Sequence, residues 1–329
     1  MNYKTNSTHK LVYQINCWST VEYIPLYDPY INFVYLAISF LSSIIPPIIF
    51  LNGIIIYILW STQSLHTPAN TLIGVTAACD VLSALISMTS TVAVWFLVLS
   101  HHIDCTLYIS TVYTSHVFSF LSFLLVCLMA FDRYVAIFKP YFYCRRISIS
   151  QTVYTPYIAV ITFLVLLLNG LNFLTSNKHL IQIAFLIFIP TLSLFYICVQ
   201  VKVQRIVKDI ARPVNGRRTS VGSELPSGIA KANQEIASSK KTMQAHIRIS
   251  YLTMLIVLSI CICYTPYNVF LLIQFIPSKY QDDDWLRIGY ILSYSFMCLK
   301  SLLNPLIYCY RSSTIRKKIR HLLTKSDLV

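Results

Sequence analysis

Four ionisable side chains interrupt long apolar stretches of this 329-residue chain: Asp80, the neighbours Asp132 and Arg133, and Lys300. A charged group inside a lipid-spanning segment is costly, and such residues usually have a function. Opposite charges offset that cost when they pair with each other. The chemistry that these residues predict is therefore ion pairing inside a membrane.

Motifs for catalysis do not appear in the apolar stretches, which contain no HExxH pair, no GxSxG and no His cluster with metal-ligand spacing. We therefore expect no enzyme, no cofactor and no catalytic residue. A triad of acids, Asp282–Asp284, lies in a predicted outer loop. It can attract a cationic ligand or calcium, or it is simply a solvated run of charge.

The composition identifies the surroundings in which the four charges must lie. Hydrophobic residues make up 56% and charged residues 12% of the chain, whereas soluble domains carry about 25% charged residues. Seven apolar runs have the length of a membrane-crossing helix, about 20 residues or more. We predict an all-α membrane protein with a seven-helix bundle, whose spans one to seven are Ile31–Trp60, Thr71–Leu99, Thr106–Phe131, Val153–Phe173, Ile181–Val207, Ile249–Ile276 and Ile288–Tyr310.

The net charge of +14 is unevenly distributed. The loops after spans one, three and five and the C-terminal tail hold 20 Lys and Arg, and the opposite side holds five. The positive-inside rule places the N-terminus outside and the C-terminus in the cytoplasm. A multi-pass protein of the plasma membrane, in contact with lipids and not with nucleic acid, is the expectation.

The spans divide the chain into three parts. We predict that residues 1–29 form an extracellular segment and that residues 30–310 form the bundle, with a cytoplasmic loop at about 208–241. Residues 311–329 are predicted to form an amphipathic eighth helix at the inner leaflet and a short tail. In this part, apolar residues alternate with basic ones at helical spacing.

Five motifs occur in order along the spans: Asn52, Asp80, Asp132-Arg133-Tyr134, Cys263-Tyr264-Thr265-Pro266 and Asn304-Pro305-Leu306-Ile307-Tyr308. Together they make residues 30–325 closely resemble the rhodopsin-like (class A) G-protein-coupled receptors. The resemblance implies a cell-surface receptor that binds an extracellular ligand. It also implies that movement of helix six activates a heterotrimeric G protein.

The resemblance implies a switch at the cytoplasmic end of the bundle. Arg133, between Asp132 and Tyr134, is expected to pair with Asp132 in the inactive state and to face the G protein once released. Pro266 and Pro305 interrupt helical hydrogen bonds and create kinks that can hinge. Asn304 and Tyr308 complete the switch, since the resemblance implies that the Tyr308 ring swings inward when span six moves.

Lys300 is the most unusual residue in the spans. It lies four residues before Asn304 and shares its helix face, which in the family meets Asp80, Ser122 and a sodium ion; Asn52 belongs to the same polar core. We expect the Lys300 ammonium to replace that ion and pair with Asp80, so that ligand binding does not depend on the sodium concentration. The alternative is a Lys in a wet cavity. The retinal-binding Lys of opsins would correspond to Cys298, so retinal is not expected.

The chain departs from the family at several positions. Tyr264 replaces the usual Trp of span six, and span four has no Trp. His246 stands near the base of span six, where some members carry an acid that locks Arg133, and we therefore expect basal activity. The connector after span four has no cysteine. Only Cys17 and Cys105 are predicted to lie outside, where they can form one disulfide.

The resemblance implies a ligand pocket between the outer halves of spans three, five, six and seven. The family's amine receptors carry an Asp where Ser115 stands, so an amine salt bridge is not expected. The pocket is neutral, aromatic and rich in hydroxyls, which suits a small neutral ligand, a lipid or a peptide. Its candidate residues are Ser115, His116, Ser119, Tyr264, Tyr267, Asn268 and Tyr294.

Short motifs outside the spans predict modifications and further partners. Asn6 begins an Asn-X-Thr glycosylation site on the predicted outer side. Ser220 follows two arginines in the third cytoplasmic loop and is a candidate phosphorylation site. The tail is a candidate site for arrestin, and Asp327–Val329 for a PDZ domain that would pair it as a strand.

Two other functional classes remain as alternatives. A seven-helix protein that binds ligand without signalling fits the spans, but Asp132–Tyr134 and Asn304–Tyr308 favour coupling. A transporter is disfavoured, because the spans show no internal symmetry of the kind that many transporters have.

Overall fold

The structure is a computed structural model. It describes residues 28–100, 102, 104–147, 150, 152–175, 251, 254–273, 284–311 and 315–320, with scattered positions between 183 and 205. Before residue 28 it describes the backbone of three strands.

Spans one to three are long helices, Asp28–Ser61, Pro68–Leu99 and Cys105–Phe138. The second begins at an N-cap, where the Thr67 hydroxyl accepts from the backbone N–H of Asn70 and Pro68 occupies the first turn. Asp104 caps the third by accepting from the N–H of Thr106 at 2.8 Å. Caps of this kind satisfy N–H groups that no helical carbonyl can reach.

Span two changes its winding halfway. Residues Ser83–Met88 form a turn of π-helix between the α-helices Pro68–Leu82 and Thr89–Leu99. A π-turn inserts an extra residue per turn and rotates the side chains that follow it, and such turns are frequent at functional sites. Here it positions Ser87 towards span three.

Spans four, six and seven also contain helices. Span four is Thr155–Thr175, and span six contains the helix Met254–Ile273. Span seven consists of two helices, Asp284–Cys298 and Lys300–Arg311, separated by a turn at Leu299. The described positions of span five are helical.

The α-helical pattern of span seven is interrupted at a position away from its proline. Pro305 lies inside the second helix, whereas the α-helical pattern is interrupted at Leu299, whose N–H donates to the Phe296 carbonyl three residues back. A three-residue hydrogen bond tightens the turn. Pro266 likewise lies within the continuous helix of span six.

The core and the outer surface of the bundle are both apolar. Spans one, two, three, six and seven pack Leu41, Leu72, Phe123, Ile260 and Tyr308 into one buried cluster. Large hydrophobic side chains also face outward, among them Phe50, Trp60, Phe131, Phe163 and Phe96. Helices that are apolar on all sides require lipid around them. Four of the described helices are long and apolar enough to cross a membrane.

The described N-terminal segment adds three short strands to the helical architecture. Tyr3–Thr5, Leu11–Cys17 and Thr20–Pro25 form strands β1, β2 and β3 of an antiparallel sheet, with β2 in the middle. Val, Ile, Tyr and Thr are frequent in these segments, and such residues favour strands. The segments are much shorter than a membrane span, so the hydropathy pattern that predicts the bundle does not indicate them.

The predicted eighth helix is helical where it is described, at residues 315–320. Ile315 is buried in the main core cluster, and Ile319 packs against the same cluster one turn later. Lys317 and Lys318 are exposed. This distribution is the amphipathic one that the spacing predicts.

Candidate functional site

Asp80, in the middle of span two, is the centre of a buried polar cluster. Its side chain has no exposed surface. One carboxylate oxygen accepts from the Lys300 ammonium at 3.0 Å and from the Ser301 hydroxyl at 2.8 Å. The other oxygen accepts from the Asn304 amide at 2.8 Å. Because these donors lie at positions i, i+1 and i+4, one side of the span-seven helix supplies all three.

Lys300 connects this cluster to span three. It is 5% exposed, and its ammonium donates to the Ser122 hydroxyl as well as to Asp80. Burying an ammonium without a partner would cost several kcal/mol. The structure therefore brings together Asp80, Ser122, Lys300 and Asn304, and it places Lys300 against a carboxylate rather than in a cavity.

Asn52 joins span one to span seven by a hydrogen bond to a carbonyl that a proline leaves without its helical donor. Pro305 has no N–H, so the carbonyl of Ser301, four residues earlier, lacks its helical donor. The Asn52 amide donates to that carbonyl at 3.0 Å and to the Ile48 carbonyl at 2.9 Å. Sequence reasoning identified Asn52 but missed Ser301, which its spacing from Pro305 could have revealed.

Tyr308 lies within the bundle and is almost fully buried. Among the described residues, its hydroxyl has no hydrogen-bond partner. The movement of this ring on activation stays a prediction.

Asp132 and Arg133, at the cytoplasmic end of span three, are both buried. The Arg133 guanidinium donates twice to one Asp132 oxygen, with Nε at 2.6 Å. The other oxygen accepts from the Tyr154 hydroxyl at 2.5 Å. Arg133 also donates to the Tyr143 hydroxyl at 3.0 Å. The pair is thus closed, and its partners come from the second cytoplasmic loop and the start of span four.

The two tyrosines around this pair were missed by sequence reasoning. Burial raises the pKa of Tyr143 to about 12, so its hydroxyl stays neutral near pH 7. Tyr134, the third residue of the motif, stacks on Phe138 with ring centroids 4.5 Å apart. In a chain with 23 tyrosines, no local signal distinguishes Tyr143 or Tyr154. His246 lies outside the described residues.

Four hydroxyl groups connect spans two, three and seven near the outer end of the bundle. Ser87 lies 2.8 Å from Ser115, and Ser115 lies 3.1 Å from the Tyr294 hydroxyl. Tyr294 lies 3.2 Å from Thr91, which donates to the Ser87 carbonyl at 2.8 Å. We call these four residues the hydroxyl ring.

Counting protons fixes the direction of the hydroxyl ring, because each hydroxyl has one proton to donate. Thr91 uses its proton on the Ser87 carbonyl, so Tyr294 must donate to Thr91. Ser115 must then donate to Tyr294, and Ser87 to Ser115. With the bonds in this direction, every proton is used inside the ring, and the hydrogen-bonding capacity that remains consists of lone pairs.

The remaining candidate pocket residues lie on spans three and six. Tyr267 pairs with Tyr290 at 3.0 Å between hydroxyls, and its ring lies 6.4 Å from that of Tyr294. Tyr264 donates to the Ser119 carbonyl at 3.3 Å. Asn268 is buried, and its carbonyl oxygen has no donor among the described residues. His116 lies one position after Ser115 in span three and is half-buried.

Cys105 is disulfide-bonded. Eight of the ten cysteines are free thiols, which leaves Cys17 as the remaining one. Its side chain lies outside the described residues, and the bond between Cys17 and Cys105 stays a prediction. Asn6, Ser220, the loop at 208–241 and the residues Asp327–Val329 also lie outside them.

The fold and these sites define a helical membrane protein with a polar core that joins spans one, two, three and seven. The family described as 7 transmembrane receptor (rhodopsin family) matches residues 51–308, well over half of the chain. The chain belongs to this family. It is therefore a membrane receptor, and the resemblance seen in its motifs is confirmed. No curated protein matches it.

Proposed function

We propose that this chain is a plasma-membrane receptor that binds an extracellular ligand and activates a heterotrimeric G protein when span six moves. The observation that carries the proposal is the buried pair of Asp132 and Arg133 at the cytoplasmic end of span three. Arg133 is held closed by its neighbour, so opening the pair would present a guanidinium to a partner protein.

The test measures guanine-nucleotide exchange on a panel of G proteins, in membranes with the chain or its Arg133→Ala variant, with and without tissue extract. Exchange that requires Arg133 supports the proposal, and a further rise with extract provides an assay for purifying the ligand. Arg316→Ala is the matched control, since Arg316 is an exposed arginine of the eighth helix. A silent wild-type chain, present at the cell surface, would favour the non-signalling alternative.

For the ligand, we propose a small uncharged molecule that carries O–H or N–H donors. The hydroxyl ring has no charge and no spare proton, so it can only accept hydrogen bonds. The buried carbonyl oxygen of Asn268 is a further acceptor. A ligand that offered only acceptors would find no donor at the ring. Chemical methylation of the active extract fraction should abolish its effect, whereas an unchanged effect would contradict this ligand class.

For the middle of the bundle, we propose that Lys300 acts as a permanent counter-ion for Asp80. The ammonium lies at hydrogen-bond distance from both Asp80 and Ser122, where a free cation would otherwise have to bind. Receptor stability and basal exchange should then be the same in sodium and in a bulky cation.

The eighth helix is proposed to lie on the inner leaflet with its basic side chains towards the lipid headgroups. Arrestin and PDZ proteins are proposed as further partners of the tail.

A further inference from the structure

Tyr154 lies immediately before the span-four helix and is almost fully buried, with 3% of its surface exposed. Its ring belongs to the main core cluster, together with Val126, Met129 and Ala130 of span three. Its hydroxyl donates to the Asp132 oxygen that Arg133 does not use. A residue of span four therefore holds one half of the Asp132 carboxylate.

Asp132 must have its carboxylate fixed in orientation if it is to keep its ion pair with Arg133. The two residues are neighbours on one helix, and their side chains leave it about 100° apart. A carboxylate on its own can rotate about its side-chain bonds. Because Tyr154 fixes one oxygen, the other oxygen is kept facing the guanidinium. Tyr143 also holds the guanidinium, since its hydroxyl accepts from a terminal nitrogen of Arg133 and its ring centroid lies 5.8 Å from Arg133 Cζ.

We propose that Tyr154 is a positioning residue that keeps the pair of Asp132 and Arg133 closed and thereby sets the receptor's basal activity. This inference rests on the proposed G-protein coupling. It adds that span four and the second cytoplasmic loop restrain the switch. Separation of spans three and four at their cytoplasmic ends would release it.

The experiment measures basal nucleotide exchange without ligand, using the full chain and the G protein that responds best. Tyr154→Phe keeps the ring and removes the hydroxyl. A hydrogen bond to a charged group shifts an equilibrium by about ten-fold or more, so basal exchange should rise several-fold. Tyr157→Phe is the matched control, because Tyr157 lies one turn later, is 58% exposed, and has its ring 6.3 Å from that of Tyr154. It should leave basal exchange unchanged.

Asp132→Asn separates failure of this inference from failure of the proposed function. If Asp132→Asn raises basal exchange and Tyr154→Phe does not, the positioning role is wrong while coupling stands. In the Asp132→Asn background, Tyr154→Phe should add little, since its charged acceptor is already gone. Fully additive increases would overturn the proposal.

A second measurement does not depend on coupling. Thermal unfolding of the same four proteins, wild type, both single variants and the double variant, forms a double-mutant cycle. The two changes should be non-additive if the hydroxyl holds the carboxylate. If no variant supports exchange above Arg133→Ala, the proposed function fails, and additive unfolding temperatures would then also reject the role of Tyr154.

Discussion

Near the outer end of the bundle, the hydroxyl ring joins spans two, three and seven by neutral hydrogen bonds alone. Deeper in the membrane, Asp80, Ser122 and Lys300 join the same three spans through full charges. The same helices are thus connected twice, by two kinds of chemistry with different strengths. Neutral hydrogen bonds between membrane helices contribute about 0.6 kcal/mol each, whereas breaking a buried ion pair costs about 3–5 kcal/mol.

This difference separates a fixed connection from an exchangeable one. A ligand that brings its own donors can replace members of the hydroxyl ring at small cost. No such replacement is available for Asp80, whose oxygens accept from three span-seven side chains. We therefore expect the ion cluster to hold the bundle together and the hydroxyl ring to respond to ligand.

The largest effect is expected from Asp80→Asn. The change leaves the Lys300 ammonium buried without a carboxylate, and the free energy of unfolding should fall by about 3–5 kcal/mol. Thermal unfolding of purified receptor in detergent measures it. Asp28→Asn, in the exposed first turn of span one, is the matched control. Equal stability of the two variants would show that the pair contributes nothing.

Lys300→Asn should create a response to sodium that the wild type lacks. The change exposes the Asp80 carboxylate and the Ser122 oxygen to a small cation. At about 100 times its dissociation constant, a bound cation stabilises a folded protein by about 2.7 kcal/mol. Unfolding temperatures in sodium chloride and choline chloride provide the measurement, with Lys318→Asn, an exposed lysine, as control. Sodium stabilisation of the wild type would refute the counter-ion role.

Tyr294→Phe tests the hydroxyl ring at its centre. It removes one accepted and one donated hydrogen bond, and it leaves the Ser115 proton without its acceptor. The free energy of unfolding should fall by about 1–2 kcal/mol. Tyr310→Phe is the control, since Tyr310 is 72% exposed. A loss as large as that of Asp80→Asn would remove the distinction between the two connections.

Ser87→Ala is expected to have the smallest effect, about 0.5 kcal/mol. In the direction derived from Thr91, Ser87 only donates, and its loss leaves the lone pair of Ser115 unused rather than a proton unpaired. Ser90→Ala is the control, because Ser90 donates to the same Ser87 carbonyl from outside the ring. A loss as large as that of Tyr294→Phe would contradict this direction, because a Ser87 that accepted its hydrogen bond would leave the Ser115 proton unpaired when removed.

The ion cluster was predictable because helical spacing and the family resemblance together indicate it, the resemblance placing the Lys300 face against Asp80 and Ser122. Lys300 and Asn304 share one face, and Asp80 is the acid in span two that can offset the buried ammonium. The hydroxyl ring was only half predictable. Ser115 and Tyr294 were named, but Ser87 reaches them through the π-turn Ser83–Met88, which contains no Pro or Gly to indicate it.

The roles of Tyr143 and Tyr154 could not be predicted for a different reason. Tyr143 contacts Arg133 because the second cytoplasmic loop folds back against span three, and Tyr154 contacts Asp132 because the start of span four packs against span three. Such contacts depend on tertiary packing, and the local sequence does not show them. The strands before span one were missed because short alternating segments were outweighed by the seven apolar runs.

The turn at Leu299 makes span seven two rods with a joint between them. The outer rod, Asp284–Cys298, carries Tyr294, and the inner rod, Lys300–Arg311, carries Lys300, Asn304 and Tyr308. The outer rod contacts spans two and three through Tyr294, and the inner rod contacts the same spans through Lys300. A displacement of the outer rod can therefore be absorbed by bending at Leu299 before it strains the contacts between Asp80 and Lys300.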